Sequence, residues 1–271
     1  MIDAMIFSRN RPMQLHCLLS SIKKYTNLEP KNIHVLHRYD DKYVEGLELL
    51  KKLHTNVNFI QEVDFEKQVK FYLKSGSRFC TFFVDDMIVK DEVNFNIPCN
   101  ILEQNPSVLT FSLRLGTHLT HCYPVNSYQI VPDGNINSSL QVFMWNYRTG
   151  HLDWGYPFSV DAHIFRREQL STWSLNLSYR NPNKFEEALQ TIQHNCVIPD
   201  VCCCYINSKV VNIPANRVQN EIMNRNEEGS VEEAYESWIS GDEMNFESLR
   251  GVLNSSVHQV FQIPIRNVEK P

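Results

Sequence analysis

Within residues 1–84, four short apolar runs alternate with three segments of helical periodicity, and this alternation restricts the fold more than any other feature. The runs are 4–7, 33–36, 57–60 and 79–84; between them, apolar residues recur at helical spacing over 13–25, 43–53 and 65–73. Strand–helix alternation of this kind predicts an α/β fold, with a mostly parallel, Rossmann-like central sheet and helices on both faces. Ligands of such sheets gather at the carboxyl ends of the strands. The run 79–84 is apolar on both faces, as an interior parallel strand must be, and it ends directly in Asp85 and Asp86.

The second half has a different texture. Residues 109–113 read as a strand, 116–156 as aromatic-rich loops and short strands, 159–165 as a strand, 182–194 as a helix, 210–213 as a strand and 230–239 as a helix. Neither a repeat nor a Gly/Ser linker divides the halves, so 1–271 is expected to form one domain with an elaborated C-terminal region. A content of 42% hydrophobic residues suffices for a sizeable core. The net charge of -5, with no basic block, argues against nucleic acid as a partner. The apolar runs fall far short of the roughly 20 residues that span a bilayer, and residues 1–7 lack the features of a signal peptide. A cytoplasmic protein without a transmembrane segment is the expectation. The eight cysteines include no CxxC pair, so they read as small buried thiols, and His34, His37, His118 and His121 do not complete a zinc site.

Two segments carry chemistry. Adjacent carboxylates repel, and Asp85–Asp86 would be steadied by a hard cation such as Mg²⁺ or Mn²⁺ shared with substrate phosphates; an exposed acidic turn is the competing reading. After the first strand, Ser8, Arg9, Asn10, Arg11 and Pro12 open a helix with two guanidinium groups, which suits an anion or a nucleotide; a solvated helix cap competes. There is no GxGxxG and no P-loop motif.

As an ordered set, these loops resemble the nucleotide-binding half of a GT-A glycosyltransferase, close to the family-2-like group. The resemblance rests on Ile6 to Pro12 after the first strand, on His37, Arg38, Tyr39 and Asp40 after the second, on Asp85–Asp86 after the fourth, and on Phe111 to Gly116 beyond it. It implies a donor half over 1–116, an acceptor half over 117–271, and a nucleoside-diphosphate sugar as the donor. Phe7, Ser8, Arg9, Arg11, Arg38, Asp85 and Arg114 would then bind the donor nucleotide, and a divalent cation, Mn²⁺ or Mg²⁺, would bridge the acidic motif and the diphosphate. That motif is commonly Asp-x-Asp in the family, whereas Met87 stands third here, so either Asp86 binds the cation while Asp85 reaches the ribose or a water, or a later residue such as His258 joins Asp85 and Asp86 as a ligand.

The second half resembles the acceptor region of such enzymes through 150–165 and 181–187, and Asp153, Trp154 and Tyr156 are the expected contacts of a glycan or glycoconjugate acceptor. Core aromatics are the competing reading for Trp145, Trp154 and Tyr156. Inverting transfer of a hexosyl or deoxyhexosyl group needs a carboxylate base near the acceptor hydroxyl, and Asp161 and Glu186 lead, followed by Asp153 and Glu187. Residues 211–220 read as a loop folding over the donor or acceptor. Two alternatives accompany this reading: a sugar-phosphate nucleotidylyltransferase, whose glycine-rich opening 8–12 lacks, and a non-catalytic carbohydrate-binding protein using the aromatic stretch 123–156.

Overall fold

A computed structural model describes residues 2–214 and 230–268. The alternation of the first half is realised as β1 (Ile2–Arg9), α1 (Pro12–Tyr25), β2 (Ile33–Arg38), α2 (Val44–Leu53), β3 (Asn58–Gln61), α3 (Phe65–Lys74) and β4 (Phe79–Val84). The short β5 (Met87–Val89), α4 (Asn96–Gln104) and β6 (Val108–Ser112) follow. The second half continues with β7 (His121–Cys122), β8 (Ser127–Tyr128), β9 (Gly134–Asn137), β10 (Val142–Asn146), β11 (His163–Arg166), α5 (Arg167–Ser174), α6 (Pro182–Gln190) and α7 (Ile192–Asn195). It ends with β12 (Val201–Tyr205), β13 (Val210–Asn212), α8 (Val231–Ile239), β14 (Asp242–Met244) and β15 (Ile265–Asn267).

Among the described residues the central sheet has nine strands in the order β3-β2-β1-β4-β11-β6-β12-β10-β9. β3, β2, β1 and β4 are parallel, β6 and β12 are parallel to each other, and β11 runs against both β4 and β6. The architecture is therefore the mixed α/β one expected, with strands β11 and β10 opposed to their neighbours. The antiparallel β11 matters for function, because its amino end lies at the same rim as the carboxyl ends of β1, β4 and β6.

Period-two alternation sends Ala4 and Ile6 of β1 to one core layer and Met5 and Phe7 to the other. The first layer is closed by α1 through Leu15, Leu18, Leu19 and Ile22, and the second by α3, α5 and α6 through Val69, Leu170 and Phe185. β12 repeats the rule with three cysteines: Cys203 faces one layer, Cys202 and Cys204 the other. Seven of the eight thiols are buried and Cys196 is exposed, and all are free.

Two expectations need adjustment. The strand placed at 159–165 begins only at His163, because 160–162 form a turn in which Ala162 has a φ of 54°. The helix placed at 182–194 is divided at Thr191 into α6 and α7. Of the loop 211–220, residues 215–220 lie outside the described residues. No helix among the described residues is long and apolar enough to cross a membrane.

Candidate active site at the strand carboxyl ends

The chain leaves β1 through Asn10, whose φ of 57° turns it toward α1, with Arg11 as the residue before the helix. Asparagine tolerates this left-handed region better than most residues. Its side chain also holds the neighbouring loop, with Nδ2 donating to Asp40 Oδ2 at 2.7 Å and Oδ1 accepting from the Asp40 N–H at 2.9 Å. Ser8 and Tyr39 join the same two loops through their hydroxyls at 3.1 Å. Arg38 stands beside them, exposed, with its guanidinium 4.0 Å from Glu62.

Asp85 and Asp86 follow β4 on the adjacent rim. Arg11 Nη1 donates to Asp85 Oδ1 at 3.1 Å and to Asp86 Oδ2 at 3.0 Å, so one guanidinium bridges the pair. The second oxygen of Asp85 accepts the Arg9 backbone N–H at 3.0 Å. Asp86 Oδ1 is buried without a hydrogen-bond partner among the described residues. Burial pushes the Asp86 carboxyl up to about 6 against the pull of Arg11, and the charges of Asp85 and Asp161 push in the same direction.

The third cluster comes from the turn before β11. Ala162 is pinned on both sides, its N–H donating to the Phe82 carbonyl at 2.8 Å and its carbonyl accepting from Leu113 N–H at 3.0 Å. That clamp holds the non-glycine positive φ in place and presents Asp161 at the rim. Arg114, 3% exposed, donates from Nη1 to Asp161 Oδ2 at 3.0 Å, and His258 Nε2 lies 3.6 Å from the same oxygen. His258 arrives by strand pairing, since Asn212 of β13 bridges to it and β13 pairs with β5 next to Asp86. Burial lowers the imidazole from its ordinary value, opposed by Asp161.

Glu186 completes the cluster from α6, which Asn181 caps by accepting the Lys184 N–H at 2.9 Å. Glu186 Oε1 accepts from Ser159 Oγ at 2.6 Å and from the Val160 N–H at 3.0 Å, and the Tyr156 hydroxyl is also in contact with the carboxyl. Burial first, and Asp161's charge second, raise the Glu186 carboxyl to about 7, while Arg114 opposes them. Asp161 is thus the common neighbour of Asp86 and Glu186. Ser159 and Val160 are not legible as site residues in the sequence: they lie 27 and 26 positions from Glu186, and neither residue type marks a site.

Of the remaining residues expected at the site, two require correction. Phe7 is packed between Phe65 and Phe82 with ring centroids 5.2 and 5.8 Å away, so its side chain is core and only its carbonyl reaches the site, accepting the Asp85 N–H. Its even spacing from Met5 on a strand buried on both faces is the signal that gives this away. Trp154 is fully buried, edge-on to Trp145 at 4.9 Å and to Phe143 at 5.9 Å, and offers no ring face to a sugar. Asp153 exchanges two hydrogen bonds with Gln129, while Tyr156 is half-buried at the Glu186 cluster. Glu187 is exposed and paired with Lys184 at 2.6 Å.

The residues expected to hold a divalent cation do not form a cation site as arranged. Among the described residues no group of three His, Cys, Asp or Glu side chains converges as metal ligands. Both oxygens of Asp85 and one of Asp86 are already engaged, and His258 is turned to Asp161. Met87, the third position of the acidic motif, is fully buried beneath the strand end.

No family model matches the chain. In sequence it is similar to the bifunctional glycosyltransferase pgtA of Dictyostelium discoideum, 23% identical over 210 residues; the match covers 68% of this chain and 27% of that protein. The chain thus spans about a quarter of the length of this relative. Among solved structures, S. aureus TarS 1-349 in complex with UDP superposes with a TM-score of 0.47 at 14% identity, over 77% of this chain and 59% of that one. Glucosyl-3-phosphoglycerate synthase from Mycobacterium tuberculosis, in complex with Mn²⁺, UDP-glucose and phosphoglyceric acid, gives 0.42 at 11% identity, over 71% and 65%.

Proposed function

We propose that the chain transfers a sugar from a nucleoside-diphosphate donor to an acceptor hydroxyl of a glycan or glycoconjugate, with inversion at the anomeric carbon. The observation that carries this reading is the single rim on which Arg9, Arg11, Asp85 and Asp86 stand beside Asp161, Arg114 and Glu186. The sequence relative supports the reaction class. The two loops joined by Asn10–Asp40 and Ser8–Tyr39 make a cradle for base and ribose, and residues 1–116 act as the donor half.

In the reaction, the bond from the anomeric carbon to the diphosphate oxygen lengthens as positive charge grows on the sugar ring. The acceptor oxygen attacks the opposite face and its proton passes to a carboxylate. Of the two carboxylates at the acceptor side, Glu186 is the better acceptor of that proton, because a base works best with a pKa near the operating pH and its carboxyl is raised to about 7. Asp161, bound to Arg114, holds the charge pattern that keeps Glu186 there. The Arg11 guanidinium at Asp85–Asp86 is the group that meets the charge developing on the leaving diphosphate, and Arg9 Nε, buried without a partner among the described residues, is available to join it.

The assay is release of nucleoside diphosphate as a function of pH. Asp161→Asn removes the charge that raises Glu186 and frees Arg114, which lowers it, so both changes move the Glu186 pKa down. The acid limb of the kcat/KM profile is expected near pH 7 in the parent and at lower pH in Asp161→Asn. An unmoved acid limb would remove Glu186 as the base.

A further inference from the structure

The acidic pair poses a problem that its surroundings solve in an unexpected way. Two carboxylates that would otherwise repel are bridged by one guanidinium nitrogen, at 3.1 and 3.0 Å, and both Arg11 and Asp85 are buried. Asp85 spends its remaining oxygen on the Arg9 N–H. The position that would complete an Asp-x-Asp motif is Met87, which is folded into the core with its sulfur 3.4 Å from the Val84 N–H. One guanidinium thus stands against both carboxylates with no ion added. A hard divalent cation needs several oxygen ligands in a nearly octahedral shell, and here it would have to displace the guanidinium from those oxygens and then lie beside its positive charge.

We infer that Arg11 takes the place of the divalent cation at Asp85–Asp86, so that the diphosphate of the donor is bound and its departing charge stabilised by guanidinium groups without metal. This inference rests on the glycosyltransferase reading proposed above. The two carboxylates orient Arg11 rather than ligate an ion, and their role is to aim a fixed positive charge at the diphosphate. A guanidinium suits that task because its planar fork matches phosphate oxygens and it stays protonated when buried. Arg9, on the same strand end, supplies a second fork.

The test uses the EDTA-treated chain and isothermal titration with UDP, GDP and TDP, in EDTA and in Mn²⁺, together with Mn²⁺ alone. The nucleoside diphosphate that binds is expected to do so with affinities within about threefold in the two buffers, a difference too small to represent a lost ligand contact. Mn²⁺ alone is expected to give no specific heat. Arg11→Ala is expected to weaken binding in EDTA by about 30-fold or more, as loss of a buried charged partner does. Binding that appears only with Mn²⁺, or that improves by about tenfold or more with it, overturns the inference and leaves the glycosyltransferase reading standing. Failure of all three diphosphates in both buffers overturns the two together. The comparison of buffers needs only the parent chain, so it decides the matter even where Arg11→Ala does not fold.

Discussion

Glu186→Gln is expected to lower kcat for sugar transfer by about 10²–10⁴-fold while changing the affinity for the nucleoside diphosphate little. Glutamine keeps the size of the side chain and can still accept from Ser159 Oγ and the Val160 N–H, so the turn that carries Asp161 is preserved. What it cannot do is take a proton. Its effect on folding has the opposite sign to its effect on activity. The Glu186 carboxyl sits at about 7 in the folded chain against an ordinary value of 4.5, so the fold disfavours the charged form. Stability from this group is present below about pH 4.5 and is lost as pH rises toward 7, because the folded state binds the proton more tightly. The glutamine variant carries no such penalty and is expected to be at least as stable as the parent at mildly alkaline pH. An inactive variant that melts earlier than the parent there would point to a packing defect rather than a missing base.

Arg167→Met is expected to act the other way, costing about 3–5 kcal/mol of stability because it leaves a buried carboxylate unpaired. Arg167 is 5% exposed at the end of the sheet remote from the site. Its Nη2 donates to Asp3 Oδ2 at 2.7 Å, its Nε to the Ser77 carbonyl at 2.5 Å and its Nη1 to the Tyr72 carbonyl, and the guanidinium stacks on the Tyr72 ring at 4.4 Å. Asp3 in turn accepts the Ser77 N–H and hydroxyl at 2.7 and 2.6 Å. The knot ties β1, α3 and α5 together, and Gly76 is required beside it: with φ of 119°, a Cβ there would lie 2.4 Å from Asp3 Oδ2. Urea unfolding measures the cost, and donor affinity well below the melting temperature is expected to be unchanged. A loss under about 1 kcal/mol would mean that solvent reaches the knot.

The two halves of the chain differ in how much of their structure is legible in the sequence. In β1 to β4 the apolar runs and the helical spacing point the same way as the tertiary packing, and each strand end then presents its loop to one rim; Arg11 and Asp85 stand at that rim for this reason. β12 escapes such a reading because three consecutive cysteines have no marked strand signal, although they alternate between core layers as any strand does. α4 escapes it because Pro98 stands in its first turn and interrupts a short pattern. Within the site, residue types can be read but partners cannot. The bridge from Arg11 to Asp85 spans 74 positions and that from Arg114 to Asp161 spans 47, and such pairings follow from strand order rather than from local pattern. The same gap explains Phe7 and Trp154, whose aromatic character suits a ligand until packing places their rings in the core.

The central claim is turnover of a nucleoside-diphosphate sugar at this rim, and the most direct measurement is release of nucleoside diphosphate from a panel of UDP-, GDP- and TDP-sugars incubated with the purified chain, water taking the acceptor's place. The expected result is slow hydrolysis of at least one donor by the parent chain and its loss in Glu186→Gln. A panel in which no donor is hydrolysed and no nucleoside diphosphate binds, with the chain folded, would contradict the account.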